Sequence, residues 1–212
     1  MQLSLWITLL LACLVISFTP GAGAINTMGN ALNHGHRRAI WGILGQQAAL
    51  VVHIAIVAAG VGLLVASSPI AFAIIRYAGA AYLVYLGVRQ ILAKVEPEAG
   101  SDTAEPTSTA RTESRWAMFR RGLWVNLLNP KAIVFFLAFL PQFVKPDQPQ
   151  LPQYVIVAVT CVIVDIAVMW GFFAVAAQGF RRFTRTARGQ RTLNRIFGAL
   201  FIAVGILLAI MH

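Results

Sequence analysis

Of the 212 residues, 58% are hydrophobic and only 11% are charged, which is far too apolar for a soluble domain of this length. The formal net charge of +10 would suit a nucleic-acid partner, but the basic residues gather between apolar runs, the pattern of membrane-protein loops, and nucleic acid is set aside. Cys13 and Cys161 each stand alone in an apolar run, with no CxxC spacing, so they indicate neither a disulfide framework nor a redox motif and read as small apolar packers.

Residues 3–18 form the first apolar run, which stops at Thr19-Pro20-Gly21-Ala22-Gly23. Small residues after such a run imitate a signal-peptide cleavage site, but no positive charge precedes the run and further apolar segments follow, so the reading is an uncleaved span. A continuous helix over residues 1–36 would be about 54 Å long at ~1.5 Å per residue, too long for one crossing of a ~30 Å hydrocarbon core. The chain must therefore bend at Pro20-Gly21 or protrude. Beyond the break, Asn26, Asn30 and Asn33 share one helical face and Ile25, Met28 and Leu32 the other. That polar stripe fits a solvated pathway, or a helix lying at the interface.

Residues 40–66 read as a second span. Gly42, Gly45, Ala48 and Ala49 offer a surface for close packing, and Gln46, Gln47 and His53 are the polar members. Residues 69–93 are a third span, carrying Arg76. From Glu96 to Ser114 the composition turns to Pro, Glu, Asp, Ser and Thr, which marks a disordered linker, taken as 94–114. Residues 115–144 contain Asn129-Pro130-Lys131 within a membrane-length apolar run. There Asn129 suits an N-cap and Pro130 the first turn of a new half-helix, while Lys131 lies at the positive end of the helix dipole. A cation set against both lipid and dipole calls for an anion nearby. Residues 151–177 form a fifth span with Asp165 near its middle. A basic loop with six arginines from Arg181 to Arg195 leads to a last span at 196–211, with Gly198 and Gly205 on one face.

The fold class expected is all-α: a polytopic membrane protein of six transmembrane helices, arranged as two inverted three-helix repeats with broken helices 1 and 4. Residues 1–93 are the first repeat and 115–212 the second, joined by the cytoplasmic linker 94–114. In alternation, the 1–2, 3–4 and 5–6 loops hold 14 of the 17 Lys and Arg residues. This bias puts those loops in the cytoplasm and both termini outside, in the periplasm of a cell inner membrane. Three spans followed by three spans require the second half to enter from the opposite face, as inverted-repeat transporters do.

Several stretches resemble the lysine-exporter (LysE) superfamily, in particular its homoserine/threonine-efflux (RhtB-type) branch. They are Phe18-Thr-Pro20-Gly21-Ala22-Gly23-Ala-Ile-Asn26-Thr, Gly42-Ile-Leu-Gly45-Gln, Gly79-Ala-Ala-Tyr82-Leu-Val-Tyr85-Leu-Gly87 and Arg121-Gly122-Leu-Trp-Val-Asn126-Leu-Leu-Asn129-Pro130-Lys131-Ala. Phe139-Leu-Pro141-Gln142-Phe143, Asp165 and Leu193-Asn194-Arg195-Ile-Phe-Gly198-Ala complete the likeness. Ala22 departs from it, since the family usually has a second proline there. The resemblance implies a six-helix, often homodimeric exporter of amino acids or related small metabolites, driven by the proton gradient. Its branch puts neutral amino acids such as threonine and homoserine ahead of lysine.

The residues themselves point the same way. Half-helix amides after two breaks 110 residues apart suit a substrate carboxylate at the midplane. The candidate substrate-binding residues are Pro20, Gly21, Gly23, Asn26, Gln46, Asn126, Asn129, Pro130 and Lys131. Asp165, the one acidic residue within any span, is the candidate proton-coupling group, and a permanent buried pair with Lys131 is its structural alternative. Neither a cofactor nor a bound metal is called for; the expected partners are an amino acid, protons and the bilayer. An enzyme is not indicated, because no second membrane carboxylate and no GxS turn accompany Asp165 and His53. The competing reading is an exporter of a divalent metal cation or another small solute, with His34, His36 and Cys13 as ligands.

Overall fold

A computed structural model of the chain describes residues 1–93, 113–145, 147–184 and 186–210. Among these, every regular element is helical. The bulk of the linker, residues 94–112, lies outside the described residues. Helix α1 (Leu3–Phe18) is followed by α2 (Ala22–His34), bent from it by 58°. Helices α3 (His36–Ser67) and α4 (Pro69–Leu92) complete the first half. In the second half, α5 (Arg115–Leu127) meets α6 (Pro130–Phe139) and its 3-10 extension to Phe143 at 57°. Helix α7 (Gln150–Ile166) passes through a π-helical stretch, Ala167–Phe173, into α8 (Ala174–Thr184), and α9 (Ala187–Ile210) ends the described chain.

Both bends follow from local chemistry. Pro20 has no amide hydrogen, so α1 closes on Thr19, whose amide and hydroxyl both donate to the Val15 carbonyl at 3.1 and 2.7 Å. Gly21 then starts α2 from an extended conformation with no side-chain cap, which leaves the first-turn amides of α2 open. At the second bend, Asn129 is the N-cap of α6, its Oδ1 accepting from the Lys131 amide at 3.1 Å, and Pro130 occupies the first helical position. The turn between α2 and α3 needs Gly35, whose φ of 85° a side chain would oppose.

Among the described residues, three helices are long and apolar enough to cross a membrane: His36–Gly60, Gln150–Gly179 and Ala187–Ile210. Counting each bent pair as one span raises the total to five. Helix α4 packs along α9. The polypeptide from Arg181 to Arg195 differs from expectation, because it is not a long loop. Helix α8 continues to Thr184 and α9 begins at Ala187, nine residues before the apolar run. Arginine is a good helix former, so a segment rich in it need not be a loop.

Two seams hold the halves together at backbone distance. On α3 and α5, a Cβ on Gly45 would strike the Phe119 carbonyl, and one on Gly122 would strike the Gly42 carbonyl. On α4 and α9, a Cβ on Gly198 would meet the Gly87 carbonyl, and one on Gly205 would meet that of Ala80. Small residues permit this approach where lipid offers no hydrophobic drive for association. The pairings also fix direction: α3 runs parallel to α5 (42 with 122, 46 with 126), and α4 runs antiparallel to α9 (80 with 205, 90 with 194). Helices α1 and α7 are parallel, joined at Cys13–Cys161 and, one turn on, at Ser17–Asp165. A stack of Phe135, Phe139 and Phe143, with centroids 4.9 Å apart at each step, fills the core beside α6.

Candidate substrate and proton site

The two breaks meet at the centre of the molecule around a cavity of about 50 Å³. Gly23 and Ala24 of α2, Gln46 of α3, Asn126 and Asn129 at the second break, Lys131 of α6 and Asp165 of α7 all line it. A cavity of this size has room for a few waters.

Lys131 is held by neutral backbone oxygens and not by the anion expected beside it. Its Nζ donates to the carbonyl of Thr19 at 2.6 Å and to that of Ile16 at 3.0 Å. These oxygens belong to the C-terminal end of α1, where the interrupted helix leaves carbonyls without amide partners and the dipole is negative. The side chain lies over Gly21, at 3.5 Å from where a Cβ would stand, and the ammonium sits 5.9 Å from the Phe201 ring centroid. Lys131 thus leaves the positive end of its own half-helix and neutralises the negative end of the other.

Asp165 is held separately. Ser17 Oγ donates to one carboxylate oxygen at 3.0 Å and Gln47 Nε2 to the other at 2.6 Å. Among the described residues, the ion pairs within 4.0 Å are His34–Glu113 and Arg121–Glu113. Lys131 and Asp165 therefore share a cavity without a direct pair. Gln47 Oε1 has no partner. Turning that amide over would offer an acceptor to a protonated carboxyl, so one side chain can serve both states of Asp165.

Gln46 binds the elements to each other. Its Nε2 donates to the Gly23 carbonyl and to Thr27 Oγ1, both at 3.1 Å, and its own carbonyl accepts from Asn126 Nδ2 at 3.0 Å. Pro20 and Gly21 face a different cavity, of about 400 Å³, shared with Gln90, Asn194 and Phe197. Asn26 lies one turn beyond the central cavity, where Arg121 Nε donates to its Oδ1 at 3.2 Å and the Arg121 guanidinium also binds Asn30. Six of the ten sequence candidates thus line the central cavity, and Pro130 orients it as the start of α6.

Sequence reasoning passed over Ser17, named Gln47 only as a polar member of its span, and read the thiols as solitary packers. Cys13 and Cys161, alone in their own segments, meet across α1 and α7 with sulfurs 3.1 Å apart, and both line the cavity as free thiols. A signal for Ser17 was present: it lies one turn from Cys13 on the same face, just before the break. The proposed metal ligands are dispersed, with His34 on Glu113, His36 stacked on Trp170 at 5.1 Å and Cys13 in the central cavity.

The family model described as LysE type translocator matches residues 14–212. A homoserine/homoserine lactone efflux protein of Salmonella typhimurium is 44% identical over 204 residues, covering 96% of this chain and 95% of that protein. An uncharacterized membrane protein of Vibrio cholerae is 38% identical over 209 residues, covering 99% and 98%. A leucine efflux protein of an Enterobacter species is 28% identical over 216 residues, covering 99% and 97%. No solved structure matches the chain. With efflux transporters, not enzymes, as its relatives, the protein belongs to the LysE-type translocator family of membrane proteins.

Proposed function

We propose that the protein is a secondary-active exporter of small neutral amino acids, homoserine and threonine foremost, that exchanges its substrate for protons. The observation that carries this reading is the central cavity, where open amides of α2, the ammonium of Lys131 and the carboxylate of Asp165 converge at two helix breaks. A zwitterion needs an anion site and a cation site close together. The α2 amides and Lys131 suit its carboxylate, and Asp165 suits its ammonium. An ionised carboxylate at membrane depth costs about 2.5–3.5 kcal/mol on insertion scales, so its presence argues for a working role. Proton binding to Asp165 would compete with the substrate ammonium, which is the requirement for antiport.

The arrangement proposed is six crossings in two inverted repeats, with α1–α2 and α5–α6 as broken crossings and α4 as the third. Helix directions support it. The first and fifth crossings should be parallel, as should the second and fourth, and the third and sixth antiparallel; α1/α7, α3/α5 and α4/α9 have those relations. The charge bias supports termini outside the cell membrane and a cytoplasmic linker between two three-helix units.

The test is transport by the purified protein in proteoliposomes. L-Homoserine counterflow, and uphill movement driven by an imposed pH gradient with the membrane potential clamped, are the expected results. Absence of both, with leucine and threonine also inert, would remove the reading.

A further inference from the structure

A second buried ionisable group lies outside the central site. His53 is on α3, six residues beyond Gln47 or about 9 Å along the helix, and only 6% exposed. Its Nε2 lies 3.2 Å from the carbonyl oxygen of Leu127. A carbonyl can only accept, so Nε2 carries the hydrogen and Nδ1 holds the basic lone pair. Nδ1 is buried and has no hydrogen-bond partner. The residue lines a cavity of about 220 Å³ with Ile56, Val57, Ile133, Phe136 and Leu137.

Leu127 is the last residue of α5. In an unbroken helix its carbonyl would accept from the Lys131 amide, but that amide is taken by Asn129. His53 therefore occupies at the second break the place that Lys131 occupies at the first. The stranded carbonyls of the first half are bound by a side chain of the second, and the stranded carbonyl of the second half by a side chain of the first. One cap is an ammonium; the other is an imidazole, which gains and loses its charge in the physiological range.

We propose that His53 is a proton-binding residue of the transport cycle, taking the proton on Nδ1 and acting on the α5–α6 break through the Leu127 carbonyl. This rests on the proton-coupled reading above. A hydronium ion gives its proton to Nδ1, leaving water and an imidazolium whose Nε2–H remains on Leu127. That bond becomes charge-assisted, about twice as strong as the neutral one, and the break is held more firmly until the proton leaves. None of the other residues lining the His53 cavity is ionisable. On the packed elements, the arginines of α5 lie six or more residues before Leu127, and Arg37 and Arg38 stand at the start of α3. Lys131 and Asp165 lie in the neighbouring central cavity. Phe136 lines both cavities, its ring stacked on the imidazole with centroids 5.8 Å apart. It is the partition between Nδ1 and the central site, and its movement would open a proton route from one to the other.

His53→Gln keeps a donor for the Leu127 carbonyl but cannot titrate. In proteoliposomes it should retain L-homoserine counterflow, which requires no net proton movement, while pH-gradient-driven transport falls about ten-fold or more, within the range of measured site couplings. Wild-type gradient-driven transport by His53→Gln, with an unchanged pH profile, would overturn the proposal. A second measurement does not depend on that variant folding or on the substrate. With His34, His36 and His212 replaced by Gln, ¹⁵N resonances of the remaining His53 in nanodiscs should pass from the Nε2–H tautomer to imidazolium between about pH 8 and pH 5. An imidazole that stays neutral throughout would overturn the proposal equally. A wild-type protein that moves no L-homoserine would instead count against the efflux reading, with the resonances still deciding the role of His53.

Discussion

The ammonium of Lys131 lies 2.6 Å from the carbonyl oxygen of Thr19, 112 residues earlier in the chain. Removing the charge strands the Ile16 and Thr19 carbonyls in the centre of the protein, and hydrogen bonds to charged groups contribute about 1.5–3 kcal/mol each. Lys131→Met should reach the membrane at normal levels, since methionine favours insertion, yet lose export by about ten-fold or more. Cellular L-homoserine export, set against immunoblots of the membrane fraction, checks this.

Asp165→Asn should keep the hydrogen bond from Ser17 and insert without difficulty. It should retain exchange of internal for external L-homoserine only at a raised KM, because the amide holds the substrate ammonium more weakly than the carboxylate, and lose movement against a gradient. Uphill export equal to the wild type would show that Asp165 is not the coupling group.

Both breaks should be indispensable to transport. Pro20→Leu and Pro130→Leu each allow a continuous helix, and leucine favours both helix and bilayer. Straightening either bend removes its amides from the central cavity, so export should vanish while the protein remains in the membrane. Export at the wild-type rate by both variants would reduce the prolines to packing features.

The α3–α5 seam makes a stability prediction. A Cβ at Gly45 would overlap the Phe119 carbonyl, a backbone atom that cannot swing aside, whereas nothing lies within 4 Å of one at Gly60. Gly45→Val should destabilise the protein by about 1–3 kcal/mol, the range for overpacking, and Gly60→Ala should not. Thermal unfolding in detergent measures the difference.

The topology is tested by single cysteines in a variant lacking Cys13 and Cys161. A cysteine at position 148 should react with an impermeant maleimide added to intact spheroplasts, and one at position 101 only after lysis. Ready reaction at 101 from outside would reverse the orientation.

Much of this architecture was legible because its causes are local. Pro20 and Pro130 break helices wherever they stand, Asn129 caps because its side chain is short and accepts, and glycines spaced for one face announce a close seam. What could not be read was contact across the chain. Nothing near Lys131 in sequence reveals that its partners would be a pair of backbone oxygens at the end of α1. Cys13 and Cys161 look solitary until α1 and α7 are laid parallel, and Gln47 looks equivalent to Gln46 until the helix is rotated into place. The arginines from 181 to 195 were mistaken for a loop because charge counts report which side of a membrane a segment occupies, not whether it is helical.

The glycine seams bear on how such a molecule can move. Each brings the main chain of a helix in one half into contact with the main chain of a helix in the other, so shear between them must displace backbone and not side chains alone. Swivelling one half as a solid block over the other would have to pull both seams open together. The pieces with freedom are the arms hung from this frame: α2 beyond Pro20, α6 beyond Pro130, and α7 with the π-helical turn directly after Asp165. A cycle built on this frame resembles a door on two hinges more than a rocking cradle, and the side chains that grip the hinge pins are Lys131 and His53.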